Sequence, residues 1–328
     1  MEAFAKLNKV FTKYIFAFTF GGLALGAAVD FSNIPHLKLI SMVLFAYMTF
    51  ISSLGTSFKK FFYTLTHPIT AVYILALVHI GAPIVAYFVG IIFFPDDEFI
   101  RLGFLIASSI PVGISSLIWT SVVGGNMPLS LVTVTLDTFI TPFIMPVFLI
   151  FGAGQTVLLE ADIIMRDLVL MVTIPSIIGM LIYDFSQGRV ARFAESFGGA
   201  SSKFCLFLVI AINSTVVLPQ IVWDTSIIRL LIITFFVVFS GYFVGYIGSF
   251  ALKKRTREDV LTVIYTVGIR NNVCGLVIAL TYFPPAVAIP MTLNILFQQP
   301  LASIIALILR YLKLPPSEKE LLEKNQKT

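Results

Sequence analysis

Three ionisable side chains lie inside long apolar stretches of the sequence, far from its polar segments: His79, Asp137 and Arg270. A charge near the middle of a bilayer costs at least about 2 kcal/mol unless it is paired or faces water. Arginine stays protonated in proteins, whereas aspartate and histidine can exchange a proton. These residue types are therefore suited to holding an anion and moving a proton. The alternative is structural: Asp137 and Arg270 form a permanent buried pair, and His79 bonds a neighbouring carbonyl.

Two short polar motifs interrupt apolar stretches of the chain, Gly113-Ile114-Ser115-Ser116 and Gly268-Ile269-Arg270-Asn271. At membrane depth, unwound backbone is tolerated only beside protein or a water-filled cavity. We therefore expect an interrupted helix at each motif. The second motif lies five apolar stretches after the first, and because five is an odd number the second copy enters the membrane upside down. Inverted repeats with interrupted helices at matching positions mark the midplane binding site of secondary transporters.

Proline adds a local expectation within these stretches. Pro83 lacks the N–H that would bond the carbonyl four residues earlier, so it would free the carbonyl of His79 as a ligand for water or an ion. A plain packing kink is the alternative interpretation.

The elements that position these residues are membrane helices. The chain has 328 residues, of which 58% are hydrophobic and only 12% are charged, which excludes soluble, disordered and nucleic-acid-binding classes. Stretches of about 20 mostly apolar residues predict transmembrane helices. Ten are present: 13–29, 38–54, 68–94, 101–123, 127–152, 164–183, 203–222, 228–252, 258–281 and 286–310.

The basic residues orient these ten spans. Of the 22 Lys and Arg residues, one is Arg270 and only four lie in the loops of one side. Those four are Lys38, Arg101, Arg166 and Arg229. The excess of basic residues on the other side places both termini in the cytoplasm and predicts a multi-pass protein of the cell (inner) membrane. The predicted organisation is a first inverted repeat over 1–157, a second over 158–314 and a cytoplasmic tail over 315–328.

Other classes are disfavoured by what the sequence lacks. Cys205 and Cys274 lie in apolar stretches and form neither a disulfide framework nor a metal-binding spacing. The HExxH and GxSxG motifs and paired intramembrane aspartates are missing, so we do not expect an enzyme. We also expect no cofactor apart from a coupling ion, sodium or a proton, and no nucleic-acid partner. The expected partners are the lipid bilayer and a small solute, and protein partners are left open.

Two longer motifs carry a resemblance to a known family. Ser109-Ile110-Pro111-Val112-Gly113-Ile114-Ser115-Ser116 continues through Gly125-Asn126-Met127-Pro128-Leu129-Ser130 to Thr141-Pro142. The second motif is Val267-Gly268-Ile269-Arg270-Asn271-Asn272, followed by Gly275-Leu276. Both, in this order, resemble the bile acid:sodium symporter family over essentially the whole chain.

The resemblance implies an all-α polytopic fold of ten transmembrane helices, arranged as two inverted five-helix repeats. Spans one, two, six and seven would form a panel domain, and spans three to five and eight to ten a core domain in which the broken helices four and nine cross. A small organic anion, a bile-acid-like or pantothenate-like carboxylate, would bind at the crossing. The substrate-binding residues implied in this way are Gly113, Ile114, Ser115, Arg270, Asn271 and Asn272.

The sequence departs from the family at the cation sites. Of the positions that ligate the first sodium ion, Ser116 and Ser130 remain, while Leu117 and Val134 replace an asparagine and a threonine and Thr266 replaces a shared glutamate. At the second ion, Arg270 and His79 stand where the family has glutamines. A weak sodium site at Ser116 and Ser130 is what remains.

We therefore expect the Arg270 guanidinium to replace a coupling cation and to pair with Asp137. An anionic substrate that competed for Arg270 would allow Asp137 to take a proton, with His79 as a relay. The candidate ion-coupling residues are His79, Ser116, Ser130, Asp137, Thr266 and Arg270. Two alternatives stay open: a sodium-coupled symporter with one retained ion site, and an uncoupled facilitator.

Overall fold

The computed structural model describes residues 2–59, 69–153, 161–221, 225–253, 255–317 and 320. In these ranges the chain is all-helical. The helices are α1 (Glu2–Lys13), α2 (Ile15–Ala28), α3 (Leu37–Ser53), α4 (Ile69–Phe93), α5 (Glu98–Ser109), α6 (Ser115–Val123), α7 (Met127–Ala153), α8 (Asp162–Phe185), α9 (Ala191–Gln220), α10 (Thr225–Ala251), α11 (Arg257–Gly268), α12 (Asn272–Tyr282) and α13 (Pro285–Leu309).

Six of the described helices are long and apolar enough to cross a membrane: α4, α7, α8, α9, α10 and α13. The other predicted spans take different forms. Helices α2 and α3 are shorter, and α1 joins α2 at a bend of 79°. The stretches 101–123 and 258–281 are each divided into two helices, α5 with α6 and α11 with α12. The predicted repeat boundary at 157/158 and most of the predicted tail lie outside the described residues.

The two interruptions arise from the residues that the sequence places there. Helix α5 ends before Pro111, and α6 begins after Gly113. A Cβ on Gly113 would lie 2.9 Å from the carbonyl oxygen of Arg270, and one on Gly268 would lie 2.4 Å from the Tyr242 ring. Only glycine allows both close approaches, so the breaks and the packing around them depend on each other.

The helices pack in two groups around these breaks. Helix α9 packs against both α2 and α3, and the second half of α8 also lies on α3. The interrupted helices contact α7, α10 and α13, and α12 also contacts α3 and α9 of the first group. Two buried tyrosines secure the second group: the hydroxyl of Tyr242 donates to the carbonyl of Gln298 (3.1 Å), and that of Tyr265 to the carbonyl of Ala302 (2.9 Å). Helix α13 is thereby fixed beside the second break.

Helix α4 contains a π-turn over Leu77–Gly81, immediately before Pro83. In this turn the N–H of Ala82 bonds the carbonyl of Leu77, five residues back. The next N–H in that register would belong to residue 83, but proline has none. The carbonyl left without a donor from its own helix is therefore that of Val78. Where ordinary α-helix resumes at Ala82, Pro83 is also the residue whose missing N–H would bond the carbonyl of His79, so the sequence-based expectation for that carbonyl stays a prediction.

Candidate functional site

The two interrupted segments meet and run antiparallel, with Val112 opposite Arg270. The N–H of Gly113 donates to the carbonyl of Ile269 (3.0 Å), and the N–H of Asn271 donates to the carbonyl of Pro111 (2.8 Å). Backbone groups freed by each break are thus satisfied by the other break, as a low-dielectric interior requires. The result is a rigid crossing of two helix interruptions.

A set of side-chain amides supports this crossing from α13. Gln298 Oε1 accepts from the backbone N–H of Arg270 and from Asn272 Nδ2, each at 2.9 Å. Asn294 Nδ2 lies 3.5 Å from Asn272 Oδ1. Neither Gln298 nor Asn294 was predicted from the sequence as a site residue. The available signal was the presence of amide side chains within the last apolar stretch, where they need polar partners.

A cavity of about 310 Å³ opens beside the crossing. Its opposite wall is formed by α2, α3 and α9, with Thr19, Thr49, Ser52 and Ser202 among the lining residues. The six residues expected to bind substrate all line this cavity: Gly113, Ile114, Ser115, Arg270, Asn271 and Asn272. Their binding role stays a prediction, but the structure brings the whole set to one place.

Two helix N-termini lie at this cavity. Helix α6 begins at Ser115 with no side-chain cap, while Asn271 caps α12 by accepting from the N–H of Cys274 (3.3 Å). A helix N-terminus offers free N–H groups and a positive dipole end to an anion. Among the described lining residues, Arg270 is the only charged one. The described lining of the cavity therefore carries positive charge and contributes no carboxylate that would repel an anion.

The guanidinium of Arg270 donates to two backbone carbonyls. Its Nη2 donates to the carbonyl of Val78 (2.7 Å), and its Nη1 lies 3.4 Å from the carbonyl of Ile110. The first acceptor is the carbonyl that the π-turn and Pro83 leave free. The second lies where α5 ends. Arg270 is only 7% exposed, so this fixed cation joins α4 and both interrupted segments.

Asp137 lies in α7 with no exposed surface, and three donors surround its carboxylate. Oδ1 lies 2.5 Å from His79 Nε2 and accepts from the hydroxyl of Thr141 at 3.2 Å. Oδ2 accepts from the backbone N–H of Val112 at 2.5 Å. The carboxylate therefore contacts α4 and the first break at once.

The expected ion pair between Asp137 and Arg270 is wrong. Asp137 pairs with His79, and the hydrogen bonds of the guanidinium go to carbonyls. The physical reason is the π-turn of α4, which supplies a carbonyl at Val78 and an imidazole at the next residue. The two charges still belong to the same group of packed helices.

The second ring nitrogen of His79, Nδ1, has no hydrogen-bond partner among the described residues. An imidazolium N–H without an acceptor is costly in a buried site. We therefore assign one proton to the ring, on Nε2, where it can donate to Asp137. Nδ1 is then an open proton acceptor beside a carboxylate.

The remaining predicted ion-site residues form a separate seam of hydroxyls between α6, α7 and α11, which contact one another. Ser116 Oγ and Thr266 Oγ1 are buried and have no hydrogen-bond partner in the described part of the chain. Thr120 Oγ1 lies 3.4 Å from Ser130 Oγ. The seam offers neutral oxygens, and Thr266 stands where the resemblance implies a carboxylate.

Within the described ranges, no cluster of three His, Cys, Asp or Glu residues could hold a metal ion. Cys205 and Cys274 are both free thiols.

Comparison with known proteins decides the family. The model of the Sodium Bile acid symporter family matches residues 37–222, which is more than half of the chain and includes the first interruption. The chain belongs to this family. It is therefore a multi-pass membrane protein of a transporter family, as the sequence motifs predicted.

Individual relatives extend the similarity beyond the matched range. The "Uncharacterized protein YbaS" of Bacillus subtilis (strain 168) is 35% identical over 83% of this chain and 89% of its own length. The "Uncharacterized sodium-dependent transporter YocS" of the same organism is 23% identical over 58% of each chain. The "Probable sodium/metabolite cotransporter BASS1, chloroplastic" of Oryza sativa subsp. japonica is 26% identical over 66% of this chain and 52% of the rice protein.

Proposed function

We propose that this protein is a secondary active transporter of small organic anions, which bind in the cavity beside the crossing of the two interrupted segments. The observation that carries the proposal is the chemistry of that cavity. It combines two helix N-termini and amide side chains with Arg270, and none of its described lining residues carries a carboxylate. Membership of a transporter family supports transport as the function, and the chemistry of the cavity supports a small anion as the substrate.

The size of the cavity limits the substrate. A volume of about 310 Å³ corresponds to roughly ten water molecules at about 30 Å³ each. It lies at the lower end of the range for small-molecule sites, about 300–1,000 Å³. We infer a compact carboxylate, closer to a pantothenate-like acid than to a bile acid.

The position of the cavity supports alternating access. The cavity is lined by the beginning of α2, the last turns of α3 and the middle of α9. At the other end, polar contacts join the two helix groups: Tyr282 donates to Asp167 Oδ2 (2.5 Å), and Lys38 Nζ donates to the carbonyl of Thr281 (3.1 Å). We infer that these contacts close one side while the cavity is open to the other.

We further propose ten spans in two inverted repeats, with the panel and core division and the boundaries given above. The reciprocal hydrogen bonds at the crossing are what two inverted copies would make. The excess of basic residues in the loops of one side supports a cytoplasmic position for both termini and a location in the cell (inner) membrane.

For the coupling ion, we propose a proton taken up at His79. In the assigned state the charges of Arg270 and Asp137 cancel, and His79 is neutral. Protonation of Nδ1 is unfavourable on its own, because this N–H would lack an acceptor, and the negative charge of an arriving monoanion offsets the added positive charge. Asp137 links protonation of His79 to binding of the anion. Its Oδ1 contacts His79, and its Oδ2 accepts a hydrogen bond from the N–H of Val112, the residue before the cavity residue Gly113.

Sodium coupling through one retained site is the second candidate. Two observations favour it: the partnerless hydroxyls of Ser116 and Thr266, and the words "sodium-dependent" in the name of a relative. Against it stands the chemistry of the seam side chains Ser116, Thr120, Ser130 and Thr266, which are all neutral, because hard cations prefer carboxylate oxygens among their ligands.

The test of anion transport is uptake of radiolabelled small carboxylates, including pantothenate and taurocholate, into proteoliposomes. Ile114 lines the cavity and is 41% exposed, so Ile114→Trp fills the site without entering the core. Ile118 lies one turn later on the same helix, is 55% exposed and is not a lining residue, so Ile118→Trp is the matched control.

We expect wild type and Ile118→Trp to take up at least one compact carboxylate and Ile114→Trp to lose at least tenfold in rate. Equal uptake by both variants would contradict a substrate site at the crossing. Uptake that never exceeds equilibrium under any ion gradient would identify a facilitator instead.

A further inference from the structure

The first helix, α1, has three distinct faces. At about 100° per residue, Ala5, Asn8 and Phe11 share the face that packs against the protein, and all three are partly buried. Phe4, Leu7 and Val10 form a second stripe roughly 100° away from the first. Lys6 and Lys9 form a third, more than 100° from either of the others.

The packed face fixes the orientation of α1. Asn8 Nδ2 donates to the carbonyl of Glu195 (2.6 Å), and Lys203 Nζ donates to Asn8 Oδ1 (2.5 Å). Phe11 contacts Phe18 of α2, with ring centroids 4.4 Å apart. These contacts hold α1 against the beginning of α9 and at 79° to α2. If α2 enters the membrane, α1 lies nearly parallel to the membrane plane.

The second stripe is apolar and open. Phe4, Leu7 and Val10 are 42%, 40% and 49% exposed. The stripe continues onto α9, because the ring of Phe4 packs edge-on against Phe197 at 5.1 Å and Phe197 lies 5.6 Å from Phe193. An exposed apolar strip of this kind is unfavourable in water, but it continues the apolar surface of a spanning helix.

The third face is basic and exposed. Lys6 and Lys9 both point away from the packed face, and Arg189 and Arg192 are exposed where α9 begins. Glu2 is the one acidic residue of α1. Cations near a bilayer surface are attracted to anionic headgroups, each contributing about a fivefold preference.

We propose that α1 is an interfacial anchor that lies flat on the cytoplasmic leaflet, with its apolar stripe among the acyl chains and its lysines on anionic phospholipid headgroups. The separation of the two stripes matches such a helix, because one stripe points into the leaflet while the other stays at headgroup level. Since α1 is bonded to α9, it holds the start of that helix, and with it the cavity wall, at a fixed depth.

The experiment uses the full chain in liposomes with Cys205→Ser and Cys274→Ala as background. A nitroxide is attached to Phe4→Cys, Leu7→Cys or Val10→Cys, and to Lys6→Cys or Lys9→Cys. Accessibility to oxygen reports the acyl region, and accessibility to a nickel chelate reports water. We expect oxygen to dominate at the three apolar positions and nickel to dominate at the two lysine positions.

Lipid selectivity is tested with a fluorophore at Leu7→Cys and phosphatidylglycerol or phosphatidylcholine carrying a headgroup quencher. Phosphatidylglycerol should quench several-fold better, and Lys6→Gln/Lys9→Gln should bring the ratio to about one. The double variant Lys253→Gln/Lys313→Gln removes the same charge from exposed positions outside α1 and should leave the ratio unchanged.

Three results would overturn the proposal. Nickel access at all five positions would mean that α1 is solvated, and oxygen access at all five would mean that it belongs to a spanning helix. The expected depth pattern with equal quenching by both lipids would contradict the anionic-headgroup contact.

Discussion

Replacing Arg270 tests how the crossing is held together. Arg270→Gln removes a guanidinium that donates to the carbonyls of Val78 and Ile110. Hydrogen bonds to charged groups contribute about 1.5–3 kcal/mol each, and the longer of these two bonds lies at the weak end. We expect a loss of about 3–4 kcal/mol in the free energy of unfolding. At about 2–4 °C per kcal/mol, the melting temperature should fall by roughly 10 °C.

The assay is thermal unfolding of the purified protein in detergent, followed by the fluorescence of its two tryptophans. Arg101→Gln is the matched control, because Arg101 also donates to backbone carbonyls, those of Phe94 and Pro95, but at a partly exposed position. Water replaces such bonds, so its loss should stay below about 1 kcal/mol. Arg270→Lys should recover less than half of the loss, because an ammonium lacks the planar fork that reaches both carbonyls.

A double-mutant cycle of Arg270→Gln and Asp137→Asn tests whether the two charges act as a direct pair. If Arg270→Gln had no further effect in the background of Asp137→Asn, the two charges would act as a direct pair. The observed contacts instead predict that most of the loss persists in that background.

Three other variants examine the remaining features. Tyr282→Phe removes the hydrogen bond to Asp167 on the side of the protein opposite the cavity. An impermeant maleimide added from that opposite side should then label Ile114→Cys about tenfold faster. An unchanged labelling rate would mean that this hydrogen bond does not close that side. Gly268→Ala should cost about 1–3 kcal/mol in thermal unfolding, because its Cβ meets the Tyr242 ring at 2.4 Å, and a neutral result would show that the break can shift. Ser116→Ala should leave uptake in sodium and in potassium buffer equal, whereas a sodium-specific loss would favour the retained ion site.

Local sequence patterns were sufficient to locate the interruptions, and the family resemblance grouped the residues that line the cavity. Gly113 and Gly268 lie in the middle of apolar stretches, next to polar residues, and this pattern predicted an interruption at each. Both helices are interrupted there in the structure. Apolar stretches also located the six long helices. The division of 101–123 and 258–281 into short helices follows from the same glycines.

The pairing of the charges could not be read from the sequence. It depends on a π-turn in α4, and that turn shifts every donor by one residue relative to an α-helix. This shift frees Val78 and brings His79 to Asp137. Gln298 was missed for a related reason: its partners are backbone and amide groups of a break that is distant in sequence.

We propose that one proton enters with each anion through His79. The most direct measurement is internal pH, read with a trapped pH-sensitive dye in sodium-free proteoliposomes, when a transported carboxylate is added outside. We expect the interior of the proteoliposomes to become more acidic. For a gradient of one pH unit, we expect a monoanion to accumulate inside about tenfold. In His79→Gln, whose side-chain amide can still donate to Asp137 but takes up no proton, substrate exchange should persist without acidification. Acidification that survives in His79→Gln, or uptake driven by sodium with no change in internal pH, would contradict it.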